Sequence, residues 1–263
     1  MSDSEALVPL PWETRNLGIE AFALNGDIAN RADAAAVRSC LDRKAREIGR
    51  FFVQARIKMD SRSSRALEQS GFYFVEATLS PVAVFRENDT LTRMLANPAG
   101  ALLSRHRAAD VQVIKLAGDD GASRAAVEEI AAESFIDDRF HVDHNCPSGV
   151  ADRRYVYWVK DLLEDPAVSF DVLSLNRQPV AFLARRGEQL LIGGFARRYA
   201  GAGLGDFLWL QVLRQMKAEG LTRARTLVSV RNFPSLNLHA RLGFKFRDPS
   251  ATFHYWRRAE GES

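Results

Sequence analysis

Cysteine is scarce in this chain: its 263 residues hold two, Cys40 and Cys146, with no CxxC pair and no Cys/His zinc spacing. That excludes a disulfide framework and a zinc module. Long apolar runs are missing too, and no window approaches the roughly 18 uninterrupted apolar residues of a membrane span. The first residues, MSDSEALVPLPWE, lack a basic stretch and an apolar core, so no signal peptide is expected. Together these absences predict a reduced, cytoplasmic, soluble protein. An excess of one charge is also absent: 36 Lys+Arg stand against 33 Asp+Glu, a net +3. So mild a balance suits an anionic small ligand and is too weak for nucleic acid; neither a nucleic-acid nor a membrane partner is expected. There is no repeat of solenoid period and no low-complexity tract. What is present is ordinary for a globular protein, with 46% hydrophobic and 26% charged residues. The length allows one large domain or two small ones.

Periodicity and turn residues give a coarse map. Ala32–Ile48 has apolar residues at helical spacing, and Phe51–Lys58 reads as a strand. Ser63–Gln69 is a short helix that stops at Gly71, and Phe72–Phe85 is one long strand or a bent pair. Leu91–Leu103 is a helix that Pro98 and Gly100 break, within a connector. A strand at Val111–Leu116 and the turn Asp119-Asp120-Gly121 precede a helix opened by Ser123 with Glu128 near it and ending at Glu133. Residues 135–148 read as a loop and Val150–Leu163 as a helix. Strands Phe170–Leu175, Val180–Arg185 and Gln189–Ala196 follow, then helix Phe207–Met216, strand Arg225–Val230, helix Ser235–Arg241 and strand Thr252–Arg257. This order predicts a mixed α/β sheet: an N-terminal α/β half over 1–88, a connector over 89–110 and a second α/β unit over 111–263.

The sharpest local signal runs from Leu190 to Gly205, where a strand enters a glycine-rich turn that opens a helix. Such a turn presents consecutive backbone N–H groups at the positive end of a helix dipole, a cradle for a diphosphate. Glycine permits the turn and the close approach. A Walker A loop would end Gly-Lys-Ser/Thr, and this one ends Leu-Gly-Asp. A dinucleotide fingerprint counted from Gly201 would need glycine where Asp206 stands, and it belongs in the first βα unit. Coenzyme A needs the same cradle, and the remaining alternative is a turn that only permits tight packing.

After the next strand comes Arg231-Asn232-Phe233-Pro234-Ser235-Leu236-Asn237-Leu238-His239-Ala240-Arg241-Leu242-Gly243-Phe244. Together with the loop, this resembles the GNAT acetyltransferase superfamily: a glycine-rich loop opening a helix, a strand, then Asn-x-x-(small)-x-x-x-Tyr-x-x-Leu-Gly-Phe. Residues 111–258 follow that family's element order. A closer resemblance within the superfamily covers nearly the whole chain, to N-acetyltransferases of TDP-linked 4-amino-4,6-dideoxy sugars. It rests on Pro9–Glu13 with Leu17–Ile19, on Val53–Ile57, on Leu67–Phe72 with Phe74–Glu76, on Ala131–Phe135 leading to Arg139-Phe140, and on Tyr255-Trp256.

The resemblance implies a degenerate GNAT-like N-terminal half joined to a full catalytic GNAT domain. It implies acetyl-CoA as cosubstrate, no metal, and a nucleotide-sugar acceptor attacked directly in a ternary complex, with surface-polysaccharide assembly as the pathway and a homodimer as a plausible assembly. The implied coenzyme A contacts are Gly194, Phe195, Ala196, Ala200, Gly201, Ala202, Gly203, Leu204, Gly205 and Asn232. Ala200 stands where the family has Gln or Arg, and there the backbone N–H is expected to suffice. His239 stands where the family has the Tyr thought to protonate the departing thiolate. It either supplies that proton or packs on its helix while water does so.

Other candidates are weaker. Arg139 and Phe140 fall in the region that covers the acceptor in this fold, with Arg153, Tyr155 and Trp158 nearby. An Arg can pair with a diphosphate, while aromatics at helical spacing are more often core. No side-chain base stands out, and Glu133 is the remaining candidate beside a water relay. Gly193 and Gly194 weaken their strand, which fits a ligand approaching there and leaves room for a longer acyl chain. His141-Val142-Asp143-His144 has metal-like spacing only on a helix, and Pro147 and Gly149 argue for a loop. The alternatives to a sugar-nucleotide acceptor are another small-molecule or protein amine, or a non-catalytic acyl-CoA-binding module.

Overall fold

The computed structural model describes residues 6–31, 33–59, 62–101, 110–118, 120–135 and 138–258. Asp119 of the expected turn, residues 102–109 of the expected connector and the first five residues lie outside this set.

The elements, in chain order, are β1 (Leu7–Pro9), α1 (Pro11–Leu17), β2 (Glu20–Leu24), α2 (Ala34–Ile48), β3 (Phe51–Lys58), α3 (Ser63–Gln69), β4 (Tyr73–Val84), α4 (Asp89–Ala96), β5 (Val111–Lys115), α5 (Gly121–Ser134) and α6 (Val150–Leu163). Then come β6 (Ser169–Leu175), β7 (Gln178–Arg186), β8 (Gln189–Phe195), α7 (Gly205–Ala218), β9 (Arg223–Arg225), β10 (Val228–Ser229), α8 (Phe233–Arg241) and β11 (Lys245–Arg257). Side-chain caps set the helix starts. Asp33 accepts from the Ala36 amide for α2, and Asn88 from the Leu91 amide for α4. α5 is capped by Asp120, which accepts from the Ser123 amide, so the helix opens two residues before the expected Ser123. The β6–β7 hairpin turns on Asn176 and Arg177, both at positive φ, as a tight two-residue turn requires.

All the strands join one sheet, in the order β1-β2-β3-β11-β4-β9-β8-β7-β6-β5, with β10 paired to β4 off this path. β11 comes from the end of the chain, yet it pairs antiparallel with β3 on one side and β4 on the other. The sheet therefore does not divide at residue 88: the C-terminal strand completes the N-terminal half. β11 is also twice as long as the sequence predicts. Its first part, Lys245–Arg247, is charged and exposed and pairs only with β4. A register shift with Asp248 at positive φ and Pro249 separates it from the two-sided part. The strand expected at Arg225–Val230 is likewise two short pieces, one on each side of Thr226-Leu227.

Each half of the sheet is packed differently. The C-terminal half is covered on one face by α5 and α6, through Val127, Ile130, Val159 and Leu162 against Phe170, Phe182 and Ile192. Its other face carries α7 and the connector helix α4. In the N-terminal half, Phe51, Val53, Ala55 and Ile57 of β3 with Ala251 and Phe253 of β11 pack under α2 and α3. The alternate residues point to the opposite face. There Gln54, Thr252, His254, Glu76 and Thr78 form a largely buried polar surface, with Arg56 at its exposed edge.

Part of that surface is sealed by residues 138–146. Buried Asp143 accepts from His254 Nδ1 at 2.7 Å, Trp256 Nε1 at 2.8 Å and the Tyr73 hydroxyl at 2.5 Å. Burial pushes the Asp143 carboxyl up, but these three donors, with the Asn145 amide at 3.0 Å, outweigh it and hold the group below the ordinary carboxylate range. Asp143→Ala strips a partner from three side-chain donors, the fully buried His254 among them, and we expect a loss of about 3 kcal/mol, measured by urea unfolding. An unchanged midpoint would show that the loop is held by other contacts.

Candidate active site

β8 and β9 run parallel but share a single registered pair, Gln189 with Arg225. Beyond it β8 continues to Phe195, while the chain after β9 leans away to pair with β4 as β10, through Val228 with Leu79 and Ser229 with Thr78. The two strands splay, and the β8 backbone from Leu191 to Phe195 faces a gap. At the foot of the gap lies the glycine loop. Gly201 and Gly203 both have positive φ, and α7 starts at Gly205 with no side-chain cap. Among the described residues, the amides of Gly201, Gly203, Leu204 and Gly205 have no protein partner, so an anion docked at the helix end meets free donors. Asp206 sits in the first turn, where its charge would repel a phosphate. Its carboxylate is engaged by the Arg241 guanidinium at 2.7 and 3.0 Å.

The gap opens into one cavity of about 1290 Å³. That exceeds the roughly 300–1,000 Å³ of a site for one small ligand. It runs from the glycine loop and Asn232, past Ser134, Tyr155 and Trp158, to Arg139, Arg56, Glu76 and Thr78 on the polar face of the N-terminal half. Residues singled out in two distant parts of the sequence thus line one space.

The individual expectations fare unequally. Gly194, Phe195, Ala200, Gly201, Ala202, Gly203, Leu204, Gly205 and Asn232 all line the cavity. The amides of Ala196, Ala200 and Ala202 are bonded to the carbonyls of Val180, Arg197 and Tyr199. Ala200 therefore does not serve through a free N–H, as its type had led us to expect. Asn232 caps α8 by accepting from the Ser235 amide at 3.0 Å. Gly193 and Gly194 are explained by the protein itself: an added Cβ would lie 2.7 Å from Trp209 and from Ser134 respectively. These glycines make way for packing, and the expected room for a longer acyl chain is already occupied.

Arg139 lies on the cavity wall, 3.3 Å from Glu13 and stacked on the Phe140 ring. Phe140 turns away from the cavity. It is 1% exposed and packs on Phe52 and His254, so it belongs to the core and does not contact an acceptor. Glu13 also holds Arg154 through two bonds of 2.6 and 3.0 Å. Glu133 accepts from the Arg197 amide. His141 is held between Asp138 and Asp152, and Asp143 by its three donors, so the HVDH stretch points its groups in different directions. A buried carboxylate on the cavity wall that sequence reasoning did not single out as a site residue is Glu76. Its signal was present in the alternation of YFVEATLS, which puts an acid on a strand face that is otherwise interior.

His239 is 2% exposed, and its protons can be assigned from its partners. Nδ1 lies 2.8 Å from the Ser235 carbonyl, which only accepts, so Nδ1 carries the hydrogen. Nε2 lies 3.3 Å from the Trp209 indole N–H, which only donates, so Nε2 is a bare acceptor. Burial lowers the imidazole pKa below its ordinary value, opposed by the Ser235 carbonyl. A neutral ring with both nitrogens engaged has no proton for a thiolate. The geometry argues against the general-acid role and for a residue that orients Trp209, which stacks on Phe195.

Residues 140–244 match the acetyltransferase (GNAT) family model. Among solved structures, the chain is similar to a GCN5-related N-acetyltransferase from Sphaerobacter thermophilus, at 13% identity over 91% of this chain and 74% of that one, with a TM-score of 0.57. It is similar to a functionally unknown conserved protein from Staphylococcus epidermidis, at 10% identity over 93% and 88%, with a TM-score of 0.60. It is also similar to a tandem GNAT protein from the clavulanic acid biosynthesis pathway, at 12% identity over 86% and 70%, with a TM-score of 0.52. At such identities the likeness is one of fold. No match was found among curated proteins.

Three measurements test this geometry. With His239→Phe we expect kcat to fall by no more than about threefold, against the roughly 10²-fold or greater loss that follows removal of a general acid. Folded His239 and His254 are both held neutral by burial, with pKa values below the ordinary 6.5 that the unfolded chain recovers. Their contribution to stability is complete above pH about 6.5 and is lost as pH falls toward their folded pKa values. The urea midpoint is therefore expected to drop on acidification, less steeply in His239→Phe. Separately, Gly203→Val forces a β-branched residue to positive φ at about 1–2 kcal/mol. Acetyl-CoA affinity should weaken about tenfold by calorimetry.

Over residues 140–244 the chain thus matches the acetyltransferase (GNAT) family model, and its mixed α/β sheet has the fold of solved GCN5-related N-acetyltransferases.

Proposed function

We propose that the protein transfers an acetyl group from acetyl-CoA to the amino group of a nucleotide-linked 4-amino-4,6-dideoxy sugar. The observation that carries this reading is the single cavity joining a helix-end anion cradle to a second, polar and partly cationic chamber. The first part suits the pyrophosphate of coenzyme A, with Gly201, Gly203, Leu204 and Gly205 offering amides and the open edge of β8 lying along the pantetheine arm. The second part offers Arg139 and Arg56, groups suited to a diphosphate. A cavity this large accommodates donor and acceptor together, so the amine attacks the thioester directly. Cys146 does not compete as a nucleophile: burial and then the nearby Asp143 and Asp138 push its thiol up to about 12. The sugar class is supported by the resemblance of the whole chain to TDP-fucosamine acetyltransferases. Surface-polysaccharide assembly in the cytoplasm, by a homodimer, belongs to the same reading. Among the described residues, no helix is long and apolar enough to cross a membrane.

The test is thiol release from acetyl-CoA with TDP-4-amino-4,6-dideoxygalactose, its 4-epimer, the UDP counterparts, and free amines. Turnover on a sugar nucleotide but not on free amines is the expected result. Acetyl-CoA raising the melting temperature with turnover only on unrelated amines would overturn the acceptor. Binding with no turnover on any amine would favour a non-catalytic module.

A further inference from the structure

Across three neighbouring strands of the N-terminal half, Arg56 on β3 stands opposite Thr252 on β11, and Thr252 opposite Glu76 on β4. Residues in register across a sheet share a face, with strands about 4.8 Å apart. The row therefore reads cation, hydroxyl, carboxylate, with the two charges roughly two strand spacings apart. Arg56 and Glu76 are too far apart to neutralise each other, and no ion pair joins them. Both face the cavity that begins at the glycine loop. Arg139 leans over the same row, close enough for Glu76 to stabilise its charge and for Arg56 to oppose it.

The row is unsatisfied from within the protein. Glu76 is 7% exposed, and among the described residues it makes no hydrogen bond and no close ion pair. Thr252 is fully buried and its Oγ1 has no partner; the same holds for Arg139 Nε and for the Gln54 carboxamide oxygen beside it. Thr252 and Gln54 lie behind the cavity wall, whereas Glu76, Arg56 and Arg139 line it; a carboxylate left there without a protein donor, between two guanidinium groups, marks a surface that a ligand completes. Position fits the reaction. Thr78, two residues from Glu76 on the same face, pairs with Ser229 of β10, the strand that forms the far wall of the splay.

Resting on the acyltransferase reading above, we infer that Glu76 binds the acceptor's ammonium group and takes its proton, while Arg56 and Arg139 hold an anionic group of the same acceptor. The ammonium R–NH3⁺ gives one proton to the Glu76 carboxylate, which frees the nitrogen lone pair. That pair forms the C–N bond at the thioester carbonyl. As the tetrahedral intermediate collapses, the C–S bond breaks, and the second nitrogen proton passes to the thiolate sulfur, directly or through water. Products are the amide and coenzyme A thiol, and the Glu76 proton returns to solvent. The acceptor class that fits is a primary amine carrying a phosphate, diphosphate or carboxylate a short span away. An uncharged amino sugar or a polyamine does not fit.

The test uses the full chain saturated with acetyl-CoA. Thiol release is measured on TDP-4-amino-4,6-dideoxygalactose, phosphoethanolamine, β-alanine, glucosamine and spermidine, with wild type, Glu76→Gln and Arg56→Ala. Turnover confined to the first three supports the inference, whichever of them is used; turnover on spermidine or glucosamine alone overturns it. On the turned-over acceptor, Glu76→Gln should lower kcat at pH 7 by about 10²-fold or more and remove the acid limb of the kcat profile, with acetyl-CoA affinity unchanged. Arg56→Ala should raise KM and leave kcat nearly as it was. A Glu76→Gln enzyme within about threefold of wild type, with the same pH profile, overturns the role of Glu76. If no amine is turned over, pyrophosphate is the probe. It should raise the melting temperature of the acetyl-CoA complex of wild type and not of Arg56→Ala, and an equal shift in both overturns the anion site. Failure of the sugar nucleotide alone, with β-alanine or phosphoethanolamine active, removes the sugar reading and leaves this one standing.

Discussion

The insertion of β11 between β3 and β4 is the constraint on which the rest depends. A strand paired on both sides cannot move without breaking two ladders, and here those ladders join the end of the chain to its beginning. The N-terminal half is thereby locked into the same sheet as the glycine loop, without relying on a hinge or linker. β4 is then fixed as the neighbour of β9 and β10, and β10 is drawn toward β4 and away from β8. The splay between β8 and β10 is thus a consequence of pairing preferences. β10 satisfies its backbone on the N-terminal half, and the β8 edge is left open.

The same arrangement explains why the interior contains so much charge. A sheet with helices on both faces normally reads as continuous apolar strands. Here one face of the N-terminal half carries Gln54, Arg56, Thr252, His254, Glu76 and Thr78. Part of it is satisfied by Asp143, which gathers three donors, and by the Glu13–Arg154–Asp138 cluster alongside. The sealed part is structural, because most of its groups meet within the protein, His254 Nε2 and Asp138 Oδ2 being the exceptions. The open part, around Glu76 and Arg56, lines the cavity and, among the described residues, lacks protein partners. Burial alone does not distinguish the two; the difference lies in which groups reach the cavity.

Local elements were legible because their signals are local. Val150–Leu163 and Ser63–Gln69 have the bounds that periodicity gave, since stops such as Gly71 and the apolar spacing act within one or two turns. The glycine loop was legible for the same reason. The first part of β11 was not, because Lys-Phe-Arg-Asp-Pro-Ser reads as a turn, and only the pairing partner β4 makes it a strand. Phe140 was misplaced toward the acceptor because an aromatic beside an Arg carries no information about which way it points. Here Arg139 points to the cavity and its neighbour to the core. For His239 the residue type left two roles open, and only its partners bear on the choice. The same imidazole would donate or accept depending on Ser235 and Trp209, one a turn away and the other thirty residues distant on α7.

The acceptor side is where sequence and fold say least separately and most together. Arg56 and Glu76 are twenty residues apart, and Thr252 is far from both, so no spacing rule connects them. Register does: two antiparallel ladders bring the three side by side on one face. A carboxylate in such a place is stabilised by the nearby guanidinium of Arg139 and is still available to an incoming cation, because no donor saturates it. The cradle at α7 offers the opposite sign, amide hydrogens and a positive helix end. One cavity therefore recognises anions at its cofactor end, and both signs at its far end. An amine that reaches the thioester through the far end must leave its proton before it can attack, and Glu76 is the unsaturated carboxylate on that wall.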